Sequence, residues 1–229
     1  PLDSIEILEK QRGKDYIEVD KTTRLDWDAL REKVKTQGMR NSNTMAIAPT
    51  ATIANITGLT QSIEPTYSNL FVKSNLSGEF TVINMHLVAA LKEIDMWDEV
   101  MVYDLKNLNG SLESIARVPE DIKKLFATSF EVEPKWLIEA ASRRQKWIDQ
   151  SQSLNLYVSE PNGKKLDVMY RMAWLRGLKT TYYLRSRSAT TTEKSTITNM
   201  ELNAVKTEPK TYDQPEACSI DDPDCEACQ

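Results

Sequence analysis

The length, composition and charge of the chain exclude several classes of protein. It has 229 residues, 40% of them hydrophobic, which permits one large or two small domains with a substantial core. The 29 basic and 34 acidic residues give a net charge of -5, whereas nucleic-acid-binding and membrane-surface modules need a concentrated basic face. No apolar run approaches the roughly 18 residues of a membrane span, and no secretory leader opens the chain. We therefore expect neither nucleic acid nor a membrane as a partner.

Cysteines are confined to the last twelve residues, where Cys218, Cys225 and Cys228 lie. A disulfide framework would spread its cysteines through the fold, so this distribution favours a reducing, cytoplasmic setting. Any thiol chemistry of this chain would take place in its C-terminal segment. Because the first residue is Pro1 rather than Met, we expect the sequence to begin inside a longer product.

The first quarter of the chain contains two predicted helices and one predicted strand. Residues 1–21 are charged and weakly patterned, which indicates irregular structure. Asp26 can cap a helix that ends near Gly38. A buried strand is predicted at 45–48 and a short helix at 51–58.

Helices and extended segments continue to alternate up to residue 187. Asn84 can cap the next helix, and Pro119 and Pro134 occupy positions typical of a first helical turn. This alternation indicates an α/β architecture. From Ser186 onward the chain is rich in Ser, Thr and Pro, too polar to offset its ordering entropy, and a mobile tail is predicted. The predicted helices cover residues 84–94, 97–106, 119–126, 134–148 and 166–177, and the predicted extended segments cover 80–83, 154–158 and 182–185.

The segment PTATI follows the predicted strand at 45–48 and places free backbone N–H groups at the start of a helix. These groups, the helix dipole and two hydroxyls make a natural anion site. The segment lacks the glycine frame and lysine of a P-loop, which argues against a Walker-type NTPase. The alternative is an ordinary capped helix without a ligand. The candidate residues are Pro49, Thr50, Ala51, Thr52 and Ile53.

Tyr182 and Tyr183 are adjacent phenols in a predicted extended segment. A phenol can lose an electron and a proton together, so neighbouring tyrosines can relay a radical over short hops. Neighbours in a regular strand point to opposite faces, so stacked phenols would need a distorted backbone here. The alternative is one tyrosine in the core and one at the surface.

Cys225 and Cys228 are separated by two residues near the end of the predicted tail. This spacing suits dithiol exchange, and a flexible stem could carry the pair between sites. The alternative is a zinc site, for which the chain offers three cysteines and the distant His86. His86 is the only histidine and lies in a helical pattern, so we interpret it as structural and expect no metal site.

Five stretches, in this order, resemble the large, catalytic subunit of class I ribonucleotide reductases. They cover most of the chain from Gly38 to its end, and their order and spacing are more specific than any single motif. They read GMRNSNTMAIAPTATIANITGLTQSIEP (38–65), LSGEF (76–80), IDQSQSLNLYVSEP (148–161), WLRGLKTTYYLRSR (174–187) and CSIDDPDCEACQ (218–229).

The resemblance implies a ten-stranded α/β barrel, of which this chain would supply the C-terminal portion, roughly the later half. Residues 1–187 would belong to the barrel domain. Residues 188–229 would form a disordered tail that carries the redox cysteines. Strands around 151–155 would help to line the substrate pocket.

The resemblance also implies the activity, which is reduction of ribonucleoside diphosphates to deoxyribonucleoside diphosphates by radical chemistry. The turn at 49–53 would hold the substrate's diphosphate. Tyr182 and Tyr183 would pass a radical from the metal site of a small subunit toward an active-site cysteine. Cys225 and Cys228 would re-reduce the active-site disulfide and would themselves be reduced by thioredoxin or glutaredoxin. Cys218 has no implied role.

The chain departs from the family in lacking any cysteine before Cys218. The thiyl-forming cysteine, its asparagine and glutamate neighbours and the redox pair beside the substrate would therefore belong to an upstream part of the subunit. That part would also bind the ATP and dNTP effectors, and this chain would bind no cofactor itself. We expect no nucleotide reduction by this polypeptide alone.

Two other functions remain open. The chain could be a non-catalytic fragment that binds the radical-bearing small subunit, using an apolar groove beside the predicted helix at 166–174, where Met169 and Met172 lie. It could also be a small module whose tail binds zinc.

Overall fold

The computed structural model describes residues 2–76 and 78–187. Short helices dominate, and the strands are brief. In chain order the elements are α1 (Leu2–Arg12), a 3-10 turn (Lys14–Tyr16), α2 (Trp27–Gln37), α3 (Ala51–Thr57), β1 (Leu70–Asn75), β2 (Gly78–Ile83), α4 (Met85–Glu93), α5 (Glu99–Asn107), α6 (Glu120–Leu125), α7 (Pro134–Gln145), β3 (Leu156–Val158), α8 (Gly163–Leu175) and β4 (Leu184–Ser186).

Three extended segments, residues 45–47, 150–158 and 182–186, lie side by side and run parallel. We call them the parallel sheet. A bridge pairs Ile47 with Gln152, and β3 pairs with β4 in the register Leu156 to Leu184. Parallel strands need a long crossover, and α8 supplies it between the second and third segments. This arrangement confirms the predicted α/β class.

The middle segment of the parallel sheet is buried on both faces. Leu156, Tyr157 and Val158 are all buried, in agreement with the extended segment predicted at 154–158. α7 and α8 cover it with Ile138, Ala141, Met169 and Ala173, among other side chains. A central parallel strand that helices cover is usually apolar on both faces, as in other α/β proteins.

β1 and β2 form an antiparallel hairpin in which Leu70 faces Ile83. The extended segment at 80–83 was predicted, whereas β1 was not. A second hydrophobic core joins Leu70 of this hairpin to α4 and α5. Its fully buried side chains include Leu87, Leu91, Met101, Leu105 and Ile115.

Local capping signals placed several helices correctly. The Asp26 carboxylate accepts a hydrogen bond from Ala29 N at 3.0 Å, and α2 ends at Gly38, which adopts positive φ. Asn84 caps α4 through its side-chain oxygen. The helix predicted from residue 97 begins later, at Glu99, because Asp98 accepts from Met101 N at 2.7 Å and thereby caps it.

The prediction of irregular structure over residues 1–21 is wrong, because α1 occupies Leu2–Arg12. The helical pattern is weak because Ile5 and Leu8 are buried against Ile17 while Ile7 is 53% exposed. The helix also lies close to Gly177, which is distant in sequence. Gly177 has φ +72°, and a Cβ there would lie 2.7 Å from Val19 Cγ2, so glycine permits this close approach.

Two further predictions fit in part. Residues 45–48 form one bridge and several backbone hydrogen bonds rather than a full strand. The helix predicted to run to residue 148 ends at Gln145.

Within the described residues, no helix has both the length and the apolar character required to cross a membrane.

Candidate functional site

The turn at 49–53 lies where the first segment of the parallel sheet ends. Pro49 has no N–H, so the ladder toward the middle segment cannot continue through it. The Pro49 carbonyl instead accepts from Ser62 N at 3.1 Å. Thr50 then adopts the left-handed conformation, with φ 50° and ψ 28°, and α3 begins at Ala51. The chain therefore reverses from strand to helix within two residues.

The Thr50 side chain makes a hydrogen bond that the sequence did not predict. Its hydroxyl oxygen accepts from Ser62 N at 3.1 Å and does not cap α3. The hydroxyl hydrogen remains available to a ligand, because an oxygen can accept and donate at once. A left-handed β-branched residue is strained, and such strain is found mostly at functional sites.

The first turn of α3 faces outward. As in any α-helix, its first N–H groups have no acceptor within the helix. Ala51, Thr52 and Ile53 are exposed, Ile53 by 65%, so a ligand can approach these amides. Three N–H groups, two hydroxyls and the positive end of the helix dipole together suit an anion with several oxygens.

Tyr182 and Tyr183 contact each other although they are neighbours in sequence. Their ring centroids are 4.1 Å apart with an interplanar angle of 50°, and each side chain is 49% exposed. The regular strand β4 begins only at Leu184, so the pair escapes the alternation of a strand. The alternative of one core and one surface tyrosine is therefore wrong.

Hydrogen bonding to Tyr183 is the main cause of the raised pKa of Tyr182, followed by Coulomb repulsion from Tyr183. The guanidinium of Arg185 lies over the Tyr183 ring, 5.3 Å from its centroid. The two rings are therefore in contact beside the positive charge of Arg185.

The tyrosine pair and the turn flank the same residue of the middle segment. Tyr182 N donates to Leu154 O at 2.7 Å. Extending the Ile47–Gln152 register by two residues places Pro49 on the other side of Leu154. With roughly 4.8 Å between neighbouring strands, the turn and the pair lie about 10 Å apart across the sheet. The structure thus brings together two predicted site elements that are more than a hundred residues apart in sequence.

A buried carboxylate, which sequence reasoning missed, lies beside them. Glu64 and Asn155 are only 6% and 4% exposed. Asn155 donates its backbone N–H to Glu64 Oε1 at 3.2 Å and its side-chain N–H to Oε2 at 3.1 Å. Hydrogen bonds to a charged group are worth about 1.5–3 kcal/mol each. Both residues lie in stretches that carry the family resemblance, but a glutamate before Pro65 looks like part of a surface loop.

Two further polar side chains surround this pair. Burial lowers the pKa of Arg144, and the charge of Glu64 opposes that change. Burial, and then the charge of Glu64, raise the pKa of Tyr157, whereas Arg185 acts in the opposite direction. The charge of the buried Glu64 therefore acts on Arg144 and Tyr157.

A groove of about 670 Å³ is lined mainly by residues of β3, α8 and the segment 130–135. Met169 and Met172 line it, as do Phe130 and Val158. Its charged lining is balanced, with three lysines (Lys135, Lys164, Lys165) and three glutamates (Glu131, Glu133, Glu160). The predicted apolar groove beside the helix at 166–174 thus exists.

The cysteines predicted to act in redox chemistry, Cys225 and Cys228, lie outside the described residues, as do Cys218 and the predicted tail at 188–229. Within residues 2–76 and 78–187, no group of three or more His, Cys, Asp or Glu side chains could hold a metal ion. The dithiol and zinc interpretations of the tail both stay predictions.

Comparison with known proteins identifies the family. The family model described as ribonucleotide reductase, barrel domain, matches residues 5–184. The chain is 59% identical over 86% of its length to the ribonucleoside-diphosphate reductase subunit alpha of Chlamydia muridarum and 51% identical over its whole length to that of Chlamydia trachomatis. It is 42% identical over 77% of its length to the ribonucleoside-diphosphate reductase large subunit of Danio rerio.

A solved structure supports the same assignment. The alpha subunit of the class Id ribonucleotide reductase of Actinobacillus ureae superposes with a TM-score of 0.60 at 29% identity. The match covers 82% of this chain and 32% of that one. The chain spans only 19% to 23% of the length of the Chlamydia relatives. These matches confirm the predicted portion of an α/β barrel, and the chain belongs to the ribonucleotide reductase barrel-domain family.

Proposed function

We propose that this chain is a working part of the large subunit of a ribonucleoside-diphosphate reductase, which reduces ribonucleoside diphosphates to deoxyribonucleoside diphosphates by radical chemistry. One observation carries the proposal. In a chain of this family, Leu154 of a parallel sheet is flanked by a turn suited to binding an anion and by two tyrosines in ring contact. The chain would supply substrate anchoring, a radical relay and a dithiol shuttle.

The turn at 49–53 would bind the diphosphate. Its outward N–H groups and the hydroxyls of Thr50 and Thr52 can donate to phosphate oxygens, and the dipole of α3 favours negative charge. The substrate's sugar would then extend toward the interior of the barrel. Exact placement of that sugar is what a reductase needs, because reaction rates fall steeply when a reacting atom is displaced.

Tyr182 and Tyr183 would relay the radical. Each transfer moves one electron and one proton, so a phenol becomes a neutral phenoxyl radical while its neighbour is restored. Rings whose centroids lie 4.1 Å apart allow that exchange without an intervening group. The first oxidant would be the metal-generated radical of a small subunit, because this chain is proposed to bind no cofactor of its own.

The substrate-reducing thiols must come from another stretch, because all three cysteines of this chain lie in its last twelve residues. Cys225 and Cys228 would carry electrons to the oxidised active-site pair and would be reduced in turn by thioredoxin or glutaredoxin. Each cycle forms one disulfide in the tail and breaks one in the active site. This chemistry requires a reducing compartment, which we propose is the cytoplasm.

The decisive experiment measures CDP reduction by this chain with a small subunit and thioredoxin, with and without the upstream part of the large subunit. Turnover only in the complete mixture would support the proposal. Absence of turnover when every component is shown to be folded would reject it. ATP and dNTP effectors should act only when the upstream part is present.

A second candidate function is non-catalytic binding of the small subunit. The groove beside α8 favours it, because about 670 Å³ lined by Met169 and Met172 suits an apolar segment of a partner. Binding of the small subunit without turnover in the complete mixture would favour this function over the first.

A further inference from the structure

The segment after α3 connects two parts of the site that are distant in sequence. Ser62 N donates to both Pro49 O and Thr50 Oγ1, so this segment fixes the turn. Two residues later, Glu64 accepts both hydrogen bonds of Asn155. The segment therefore contacts the turn at one end and the middle of the parallel sheet at the other.

Glu64 occupies the place of a missing strand. In a continuing parallel ladder, the N–H of Asn155 would donate to the carbonyl of Pro49. That carbonyl is bonded to Ser62 N instead. Glu64 Oε1 takes over as the acceptor for Asn155, and its Oε2 takes the side-chain amide as well. A charged, bidentate acceptor fixes the position more firmly than one carbonyl would.

Asn155 in turn lies between the two residues that position the tyrosine pair. Tyr182 N donates to Leu154 O at 2.7 Å, and Leu156 N donates to Tyr183 O at 2.8 Å. A displacement of Asn155 would move both of these backbone contacts. The route from the turn to the backbone of the tyrosine pair consists of hydrogen bonds, two peptide links between Ser62 and Glu64, and one peptide link from Asn155 to Leu154 or to Leu156.

We infer that Glu64 is a positioning residue that couples the anion-binding turn to the tyrosine pair, so that a diphosphate held at Thr50 changes the placement of Tyr182 and Tyr183. This inference rests on the proposed function of the turn and the pair. The buried setting favours such coupling, because well-packed hydrogen-bonded groups move together rather than independently. Within the described residues, the side-chain oxygen of Asn155 is buried without a hydrogen-bond partner. The side-chain amide of Asn155 therefore depends on Glu64 for its orientation.

The test uses the 229-residue chain labelled with ¹⁵N-threonine and ¹⁵N-tyrosine and titrated with CDP. In the wild type, we expect the amide resonances of Thr50 and Thr52 to shift together with those of Tyr182 and Tyr183. In E64A, the threonine resonances should still respond while the tyrosine resonances lose most of their response. N155A keeps the backbone hydrogen bond and should show a smaller loss, which also provides a second variant if E64A does not fold.

A swapped pair separates coupling from mere structural damage. N155D places two carboxylates against each other and should weaken the tyrosine response. E64Q/N155D restores one amide and one carboxylate with reversed polarity and the same net charge, so it should restore the response. In the complete enzyme, E64A should lower kcat about a hundredfold, as expected for a small displacement at a reacting centre, with KM for CDP nearly unchanged.

The outcomes distinguish this inference from the proposed function beneath it. Wild-type threonine resonances that ignore CDP would overturn the anion site and the inference together. A threonine response without a tyrosine response in the wild type would overturn the inference alone. So would an E64A enzyme with normal kcat, or an E64Q/N155D pair that folds but restores nothing.

Discussion

Asp149 holds the start of the parallel sheet together by binding Thr44, whose backbone N–H and hydroxyl both donate to Asp149 Oδ2, at 2.6 and 3.0 Å. Met45 N donates to the other carboxylate oxygen at 2.9 Å. These contacts join the beginnings of two neighbouring segments, so they help to set the register that brings Pro49 beside Leu154. They also lower the pKa of Asp149 to about 2, with the backbone bonds from Met45 and Thr44 as the main causes.

Replacing this carboxylate should loosen the first segment. We expect D149N to lower the thermal midpoint at pH 7, whereas D167N, which removes an exposed ion pair with Arg171 on α8, should change it little. Folding lowers the pKa of Asp149, so its contribution is present above the unfolded pKa of roughly 3.9 and is lost as pH falls toward 2. The difference between wild type and D149N should therefore shrink over that interval. A difference that persists undiminished at low pH would contradict this account.

The tyrosine pair can be tested by removing single hydroxyls. Y182F or Y183F should abolish turnover in the complete enzyme, because phenylalanine cannot release a proton with its electron, while CDP binding stays nearly intact. Y170F, at a 40% exposed tyrosine of α8, is the matched control and should retain turnover. Wild-type turnover from either relay variant would end the relay assignment.

The turn offers a graded test at Thr50. T50G removes the hydroxyl and also relieves the left-handed strain, whereas T50S keeps the hydroxyl. We expect T50G to raise the Kd for CDP about tenfold or more, the equivalent of one hydrogen bond to a charged group, and T50S to stay close to wild type. Calorimetric titration with CDP measures both. Equal affinity for all three proteins would argue against a diphosphate at this position.

The role proposed for the tail cysteines predicts that their loss affects multiple turnovers but not a single turnover. The C225S/C228S variant should complete one turnover, because the active-site thiols start reduced, but should stop cycling with thioredoxin as reductant. C218S is the control, since no role is assigned to that residue. Rapid-quench product counts per subunit, followed by steady-state rates, check both parts. Unimpaired steady-state turnover in the double variant would remove the shuttle.

Local signals in the sequence predicted the parts of the fold that are locally determined. Asp26 and Asn84 cap their helices as expected, because a capping side chain acts on backbone only two or three residues away. α1 was missed because its local pattern is weak and because it packs near Gly177, a contact that no short sequence window contains. Tertiary packing overrides weak local pattern in such cases.

The same distinction between local and long-range determinants applies to the candidate site. The turn and the tyrosines could be named because their chemistry is visible in consecutive residues. Their arrangement around Leu154 could not be named, since it depends on the register of three segments. Glu64 and Asn155 are 91 residues apart, and a buried carboxylate that replaces a strand is recognised only after the strand is seen to end.

Proline at position 49 has a consequence for where the helix starts. Any other residue there would bring an N–H able to donate to the carbonyl of Ser153, adding one more rung to the ladder. That hydrogen bond would extend the strand by two residues, roughly 6.6 Å, and delay the reversal into α3. By ending the strand, Pro49 sets the position of the Ala51, Thr52 and Ile53 amides along the sheet before any ligand binds.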